Sequence, residues 1–169
     1  MILYDYIFRD EELEPYRKMY DDWNGIKPHA SMGDREIMLL EEYPNAEKLL
    51  GSYNRILPDL VKGQFSRSLM QGYSIDAKLS LYGMGQEYNW HHDADPKVKH
   101  EKNSSWRRIV SSITYLNDDY EGGETEFMDR TIVPESGKTV IFPSFFTCPH
   151  RGCPVTKGVK KILVMHCWV

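Results

Sequence analysis

Two histidines and one aspartate have the types and the spacing of a metal site. His91 and Asp93 lie two positions apart in a segment with strand character. Side chains in a strand alternate between two faces, so these two point the same way. His150, far downstream, can complete the set. Two imidazoles and one carboxylate on one face of an octahedral ion leave three positions open for other ligands.

A lysine downstream of His150 adds a positive charge within reach of that site. The ligand set itself is typical of non-haem Fe(II) centres that activate oxygen. Strand alternation separates Lys160 from its neighbour Lys161. The face of Lys160 also carries Ile162, Val164, His166 and Trp168. A lysine on such a face is costly without an anionic partner, so we expect Lys160 to bind an anion. The alternative is an ordinary surface lysine.

Two other patterns compete with this interpretation. His92 is expected to face away from the proposed ligands, as a packing or supporting residue. The run Cys148-x-His150-x-x-Cys153 could be half of a zinc site. Structural zinc needs four ligands in closed geometry, and the remaining cysteine, Cys167, has no matching pair. We therefore favour small residues near a strand–loop junction for Cys148 and Cys153.

The first part of the chain, residues 1–71, must support these residues and carries helical patterns. Residues 1–8 predict a short strand, and residues 10–22 predict a helix because acidic side chains crowd its start. Residues 44–57 predict a second helix with apolar side chains along one side. Residues 35–41 fit a strand and a helical turn equally well.

The second part, residues 72–169, changes to short strands separated by turn signals. We expect strands near 74–82, 87–93, 108–116, 125–128, 130–133, 138–142, 147–150 and 159–168. Regular spacing of short strands favours a sandwich or a barrel. The last strand is apolar on both faces, which predicts a central strand covered by the N-terminal helices. The fold class is mainly β with N-terminal helices (α+β), in one domain over residues 1–169.

Composition and charge exclude several classes of protein. The net charge of −4 argues against binding of duplex nucleic acid, which needs a basic surface. No apolar run approaches the roughly 18 residues of a membrane helix, and the start lacks the features of a secretory signal. Three cysteines are an odd and small set for a disulfide framework. We predict a soluble, cytoplasmic protein in a reducing compartment.

Four sequence blocks follow one another in the second part of the chain. They are Tyr82-x-x-Gly85-Gln86-x-Tyr88-x-x-His91-x-Asp93, Arg108-x-x-x-x-x-x-Tyr115-Leu116-Asn117, Tyr120-Glu121-Gly122-Gly123-Glu124-Thr125-x-Phe127, and Gly137-x-x-Val140-Ile141-Phe142-Pro143 followed by His150, Pro154-Val155, Gly158 and Lys160. One block alone is weak, but the four together in this order are specific. On these residues, the part 72–169 resembles the 2-oxoglutarate- and Fe(II)-dependent dioxygenases, and within them the prolyl 4-hydroxylase group.

The resemblance implies a fold, a set of site residues and a reaction. The fold is a double-stranded β-helix (a jelly roll) of two facing sheets with the metal between them. The implied site residues are His91, Asp93 and His150 for Fe(II), Lys160, Tyr115 and Tyr82 for 2-oxoglutarate, and Arg108 for the substrate. Such an enzyme uses O₂ to hydroxylate a C–H bond and releases succinate and CO₂. No catalytic side chain beyond the metal ligands is expected, and L-ascorbate is an expected requirement.

The resemblance also implies a prolyl residue in a peptide or protein as the substrate. Within the same fold, the alternatives are a free amino acid, a lysyl side chain or an alkylated base. The alkylated base is disfavoured because the repair demethylases usually place arginines at and beyond the position of Lys160, and no arginine follows Arg151. A non-catalytic binding module is a further alternative, but the presence of all three metal ligands argues against it. The polar segment 94–106 is expected to be a surface loop or a lid over the substrate.

Overall fold

Strands dominate the described part of the protein, and its described helical residues lie in the first third of the chain. The computed structural model describes residues 3–19, 29–30, 36–39, 50–51, 53–54, 73–95, 97 and 105–169. In chain order the elements are β1 Leu3–Asp5, α1 Asp10–Met19, β2 His29–Ala30, β3 Glu36–Leu39, β4 Ser74–Tyr82, β5 Tyr88–His91, β6 Arg108–Tyr115, β7 Glu121–Gly122, β8 Thr125–Phe127, β9 Thr131–Ile132, β10 Thr139–Pro143, β11 His150–Gly152, β12 Val155–Lys157 and β13 Lys160–Trp168. The prediction of a mainly β fold is confirmed.

The helix α1 follows the charge pattern that a helix favours. Its first turn carries Asp10, Glu11 and Glu12, and its last turn carries Arg17 and Lys18. Each sign of charge therefore lies at the end of the helix dipole that stabilises it. The predicted helix 10–22 is confirmed as far as Met19, and residues 20–22 lie outside the described part. Of the predicted helix 44–57, residues 50–51 and 53–54 are described, and they are helical.

Seven of the eight strands predicted after residue 72 are present, and the eighth is displaced along the chain. Residues 35–41, which fitted two structures, contain the strand β3. The strand expected at 147–150 begins only at His150, because Cys148 closes a turn onto the carbonyl of Phe145. The short strands β7 and β12 were not predicted. They pair with each other through a shifted register and lie among glycines and a proline that read as turns.

The strands form a large sheet, which contains all the longest strands, a smaller sheet, and the two-stranded pair β12-β7. The seven-stranded sheet has the order β1-β10-β6-β13-β4-β3-β2, and the four-stranded sheet has the order β5-β11-β8-β9. The strand β13 is central in the larger sheet, between β6 and β4, as its two apolar faces predicted. Side chains of β13 therefore reach both faces of the larger sheet.

The two faces of β13 contribute to different parts of the molecule. Leu163, Met165 and Cys167 lie in a core cluster with residues of the N-terminal part. That cluster also contains Phe8, Leu13, Tyr16, Tyr53, Ala77 and Leu79. The predicted covering of this face by helical residues is therefore confirmed for α1 and Tyr53. The other face of β13 turns toward the four-stranded sheet, and the space between them is the cavity described below.

Candidate metal centre

Strand pairing brings two of the three predicted ligands together. His91 ends β5 and His150 begins β11, and the two residues are direct partners in the antiparallel register. Side chains of such a pair lie on the same face with their Cβ atoms about 5 Å apart. The imidazole rings have their centroids 4.2 Å apart. The gap of nearly sixty residues between them in the chain is thus closed by backbone hydrogen bonds.

Asp93 completes the cluster from just beyond the end of β5. Its Oδ1 lies 3.5 Å from His91 Nε2, and its Oδ2 lies 3.8 Å from His150 Nε2. The segment is fastened by a hydrogen bond from the amide of Ala94 to the carbonyl of Ser144 at 2.8 Å. One potential ligand atom from each of the three residues lies within 4.8 Å of the others. The cluster is well placed to hold one ion.

The two rings are oriented as metal-binding histidines usually are. His91 Nδ1 lies 2.7 Å from the carbonyl oxygen of Asn89, and His150 Nδ1 lies 3.3 Å from that of Cys148. A carbonyl can only accept a hydrogen bond, so each Nδ1 donates. Each Nε2 then presents its lone pair to the centre of the cluster. Such outer hydrogen bonds fix the tautomer and the orientation of a ligating histidine.

The electrostatics favour the protonation states that metal binding needs. Burial lowers the pKa of His150 to about 4, although the charge of Asp93 opposes this shift. Burial acts to raise the pKa of Asp93, but the electrostatic interactions with His166, His91 and His150 outweigh it and hold that pKa well below its usual range. At neutral pH the cluster therefore offers a neutral imidazole and a carboxylate, the forms that bind divalent ions.

The competing zinc pattern is not assembled within the described residues. Cys148 and Cys153 are free, and neither has its sulfur in the cluster of possible ligand atoms. Cys153 Sγ lies 3.6 Å from the carboxylate of Glu126 instead. Burial raises the pKa of both thiols. Neutral thiols are poor zinc ligands, so the structure favours the His-Asp-His cluster.

A cavity of about 550 Å³, including its open mouth, joins the cluster to Lys160. Its walls come from both sheets. They include Lys78, Ser80, Tyr82, Tyr88, His91, Asp93, Arg108, Ile113, Thr125, His150, Arg151, Gly152, Lys160, Ile162, Val164 and His166. The predicted alternation along β13 is confirmed here, because Lys160, Ile162, Val164 and His166 all line the same wall.

Lys160 is almost completely buried, at 2% exposure. Its ammonium donates to the carbonyl oxygen of Gly123 at 2.6 Å and lies 5.1 Å from the ring centre of Tyr82. A Cβ at position 123 would lie 3.1 Å from Lys160 Cδ, in a backbone conformation with φ of +68°. A glycine therefore lets the lysine stem pass. The result is a fixed positive charge in the cavity wall.

The other predicted site residues take different places around the cavity. Tyr82 lines it directly and is the cross-strand partner of Lys160. Tyr115 is fully buried, and its hydroxyl donates to Thr125 Oγ1 at 2.6 Å, so it orients a residue of the cavity wall. Arg108 lines the cavity, where its guanidinium lies 4.7 Å above the ring of Trp168.

His166 faces the cavity but was not predicted as part of the site. His166 lines the cavity, and its Nδ1 lies 2.7 Å from Asp76 Oδ1. The available signal was the alternation that places His166 on the face of Lys160. The segment 94–106, expected to be a surface loop or a lid, is described only at 94–95, 97 and 105–106, so that prediction lies mainly outside the described part. His92 is half-buried, and the cavity walls given above do not include it.

Comparison with known proteins agrees with this geometry. The family model for the 2OG-Fe(II) oxygenase superfamily matches residues 77–169. The chain is 30% identical over 130 residues to probable prolyl 4-hydroxylase 9 of Arabidopsis thaliana, covering 62% of this chain and 45% of that protein. It is 28% identical over 105 residues to the human multifunctional procollagen lysine hydroxylase and glycosyltransferase LH3, covering 60% of this chain and 14% of that protein. The chain thus spans less than half the length of these curated relatives.

A solved structure gives a fuller overlap. The viral collagen prolyl hydroxylase of Paramecium bursaria Chlorella virus-1, in complex with 2OG, matches with a TM-score of 0.75 and 19% identity. The match covers 99% of this chain and 96% of that one. At this identity the likeness shows the fold. The described residues contain no helix that is both long and apolar enough to span a membrane.

Fold, cavity and ligand cluster together define the class as a mainly β oxygenase fold with a candidate metal centre. The family model matches more than half of the chain. The chain therefore belongs to the 2OG-Fe(II) oxygenase superfamily, a family of 2-oxoglutarate-dependent dioxygenases, and its resemblance to the prolyl 4-hydroxylase group is confirmed. The family implies Fe(II), 2-oxoglutarate and O₂ as its cofactor and cosubstrates.

The buried His150 gives a pH dependence to the stability of the metal-free protein. Its pKa is about 4 in the folded chain, against an ordinary value of 6.5. The unfolded chain therefore binds more protons in this range, and stability falls as the pH drops from 6.5 toward 4. We expect a loss of roughly 2–3 kcal/mol between pH 7 and pH 4.5 from this residue. Urea unfolding in the presence of a chelator measures it.

The variant H150Q is the matched control for this prediction. It cannot titrate, so its loss of stability between pH 7 and pH 4.5 should be smaller than that of the wild type by the same amount. Equal losses in both proteins would show that burial of His150 does not disfavour its charged form.

Proposed function

We propose that the protein is an Fe(II)- and 2-oxoglutarate-dependent dioxygenase that hydroxylates prolyl residues in a peptide or protein. The observation that carries this proposal is the shared cavity, which has the His91, Asp93 and His150 cluster and the buried Lys160 in its walls. A metal-ligand set and a separate fixed cation together suit a dicarboxylate that binds a metal at one end. We also propose that the two facing sheets form the double-stranded β-helix of the family.

His91, Asp93 and His150 would hold the iron. Their ligand atoms converge, and the outer hydrogen bonds of both imidazoles direct Nε2 inward. Bound Fe(II), with 2-oxoglutarate and O₂, supplies C–H hydroxylation with release of succinate and CO₂. The protein itself would position the iron, the 2-oxoglutarate and the substrate in a partly closed cavity. L-Ascorbate, which keeps such iron reduced in relatives, is part of this proposal.

Lys160 would bind the distal carboxylate of 2-oxoglutarate. Its ammonium is fixed by the carbonyl of Gly123, a neutral acceptor, and faces the ring of Tyr82. An anion in the cavity would pair with the buried ammonium in a region of low dielectric, where such pairing is strong. Tyr82 would form part of the same pocket. Tyr115 would act through Thr125, whose hydroxyl it restrains from behind the wall.

Arg108 would contact the substrate from the cavity wall, where Trp168 supports its guanidinium. The prolyl substrate is supported by the match to the Arabidopsis prolyl 4-hydroxylase. A second candidate is a lysyl side chain, which the match to the human procollagen lysine hydroxylase favours. In both residues the reaction would hydroxylate an unactivated C–H bond of a peptide, so the same site could act on either one. The assay therefore has to contain peptides with proline and peptides with lysine.

Removal of the cavity ammonium should separate cosubstrate binding from metal binding. Lys160→Met keeps the length of the buried stem but removes the charge. Loss of one partner of a buried charge pair costs about 2–5 kcal/mol, so we expect the Kd for 2-oxoglutarate to rise by at least about 30-fold. The affinity for Mn(II) should change little. Anaerobic calorimetry with Mn(II) and 2-oxoglutarate measures both constants.

The neighbouring Lys161→Met is the matched control, because Lys161 lies on the opposite face of β13 and outside the cavity walls. It should bind 2-oxoglutarate as the wild type does. An equal loss in both variants, or an equal loss of metal and of 2-oxoglutarate in K160M, would contradict the role of Lys160.

The reaction itself is tested by succinate formation from 2-oxoglutarate with Fe(II), O₂ and ascorbate. Peptides containing proline and matched peptides containing lysine are each examined by mass spectrometry for one added oxygen. We expect coupled succinate formation with oxygen on proline, and loss of turnover in His91→Ala. Oxygen on lysine would replace the prolyl proposal by the second candidate. No turnover with iron bound would contradict both and favour a binding module.

A further inference from the structure

We propose that Asp76 and His166 form a positioning pair for Asp93, in which His166 hydrogen-bonds the metal-binding carboxylate and restrains its orientation. This inference rests on the proposed metal site. The two residues are direct cross-strand partners, Asp76 on β4 and His166 on β13. Both strands belong to the larger sheet, whereas His91 and His150 come from the smaller one. The pair would therefore connect the metal site to the opposite wall of the cavity.

Asp76 is held in place by several groups. His166 Nδ1 lies 2.7 Å from its Oδ1, and the indole nitrogen of Trp168 donates to its Oδ2 at 2.9 Å. Arg108 adds a charge contact at 3.6 Å to Oδ2. Burial acts to raise the pKa of Asp76, but these partners outweigh it and hold that pKa well below its usual range. Asp76 is therefore a carboxylate, which can only accept hydrogen bonds.

This fixed acceptor determines how the ring of His166 is used. Because Asp76 accepts, His166 Nδ1 must donate, and Nε2 is the ring atom left to face the cavity. The side chain of His166 is 1% exposed. Its Nε2 is buried and has no hydrogen-bond partner in the described part of the chain. A buried polar atom left without a partner is costly, so we expect a polar group near His166 Nε2 to hydrogen-bond with it.

The metal-site carboxylate lies close to this ring atom. His166 Nε2 lies 3.9 Å from Asp93 Oδ1. Both carboxylates are acceptors, so a hydrogen bond to Asp93 requires a hydrogen on each ring nitrogen of His166. A hydrogen bond of about 2.9 Å also needs an approach of roughly 1 Å. His91 and His150 each have a backbone carbonyl as their outer partner. Among the ion-pair contacts of Asp93 with described residues, the one that comes from outside the ligand cluster is with His166. Outer partners of this kind change metal affinity by about 10- to 100-fold when removed.

Two isosteric variants test the assignment through metal affinity without turnover. Asn at position 166 keeps a donor where Nδ1 meets Asp76 but lacks a group that reaches Asp93. Gln at position 166 carries its amide nitrogen near the place of Nε2. We expect His166→Asn to weaken Co(II) binding by about 10- to 100-fold, and His166→Gln to stay close to the wild type. Titration of the chelator-treated full chain, followed by the visible absorption of Co(II), gives the affinities.

The outcomes separate this inference from the proposed site itself. Wild-type Co(II) affinity in both variants would overturn the positioning role. An equal loss of affinity in both variants would also overturn it, because that result indicates that His166 is a metal ligand or a packing residue. A wild type that takes up no Co(II), or a His91→Ala variant that binds as well, would overturn the metal site and the inference with it. Normal Co(II) uptake that depends on His91, with unchanged H166N, would overturn the inference alone.

A second readout does not require folded variants or metal. Nitrogen NMR of ¹⁵N-histidine in the metal-free wild type reports which ring atoms carry hydrogen. We expect His166 to carry hydrogen on both nitrogens, one directed at Asp76 and one at Asp93. A ring with hydrogen on one nitrogen only would overturn the proposed double contact.

Discussion

The antiparallel register between β5 and β11 is the constraint on which the rest of the site depends. It places His91 opposite His150, and the turn after β5 then brings Asp93 between them. A slip of one residue would turn one imidazole to the other face of the sheet. The short strands could not hold this register alone. Packing of His150 against Phe127 and Phe142, with centroid distances of 5.6 and 4.5 Å, adds apolar support.

The larger sheet provides the second half of the chemistry through the alternation along β13. One face of this strand packs into the core with α1, and the other lines the cavity with Lys160 at one end and His166 toward the other. The cavity thereby contains the ammonium of Lys160 and the carboxylate of Asp93, which have opposite charges, together with several imidazole rings. Each is held by a specific partner, which keeps the cost of burial within what a fold of this size can bear.

Much of this arrangement could be predicted from the sequence, because it depends on local patterns. The strand periods, the faces of β13 and the identity of His91, Asp93, His150 and Lys160 as candidates all follow from spacing and residue type. The strands β7 and β12 could not be predicted, since two or three residues among glycine and proline carry no period. The Asp76–His166 contact also escaped, because it depends on which residues of β4 and β13 face each other, and alternation alone does not give that register.

In the function proposed above, one cavity holds a divalent ion at the His91, Asp93 and His150 cluster and pairs 2-oxoglutarate with Lys160. Anomalous diffraction from anaerobic crystals grown with Mn(II) and 2-oxoglutarate tests both contacts at once. We expect a single strong anomalous peak bounded by the three side chains, with the distal carboxylate within hydrogen-bond distance of Lys160 Nζ. A peak at Cys148 and Cys153, or a ligand carboxylate directed away from Lys160, would show that the proposed site is wrong.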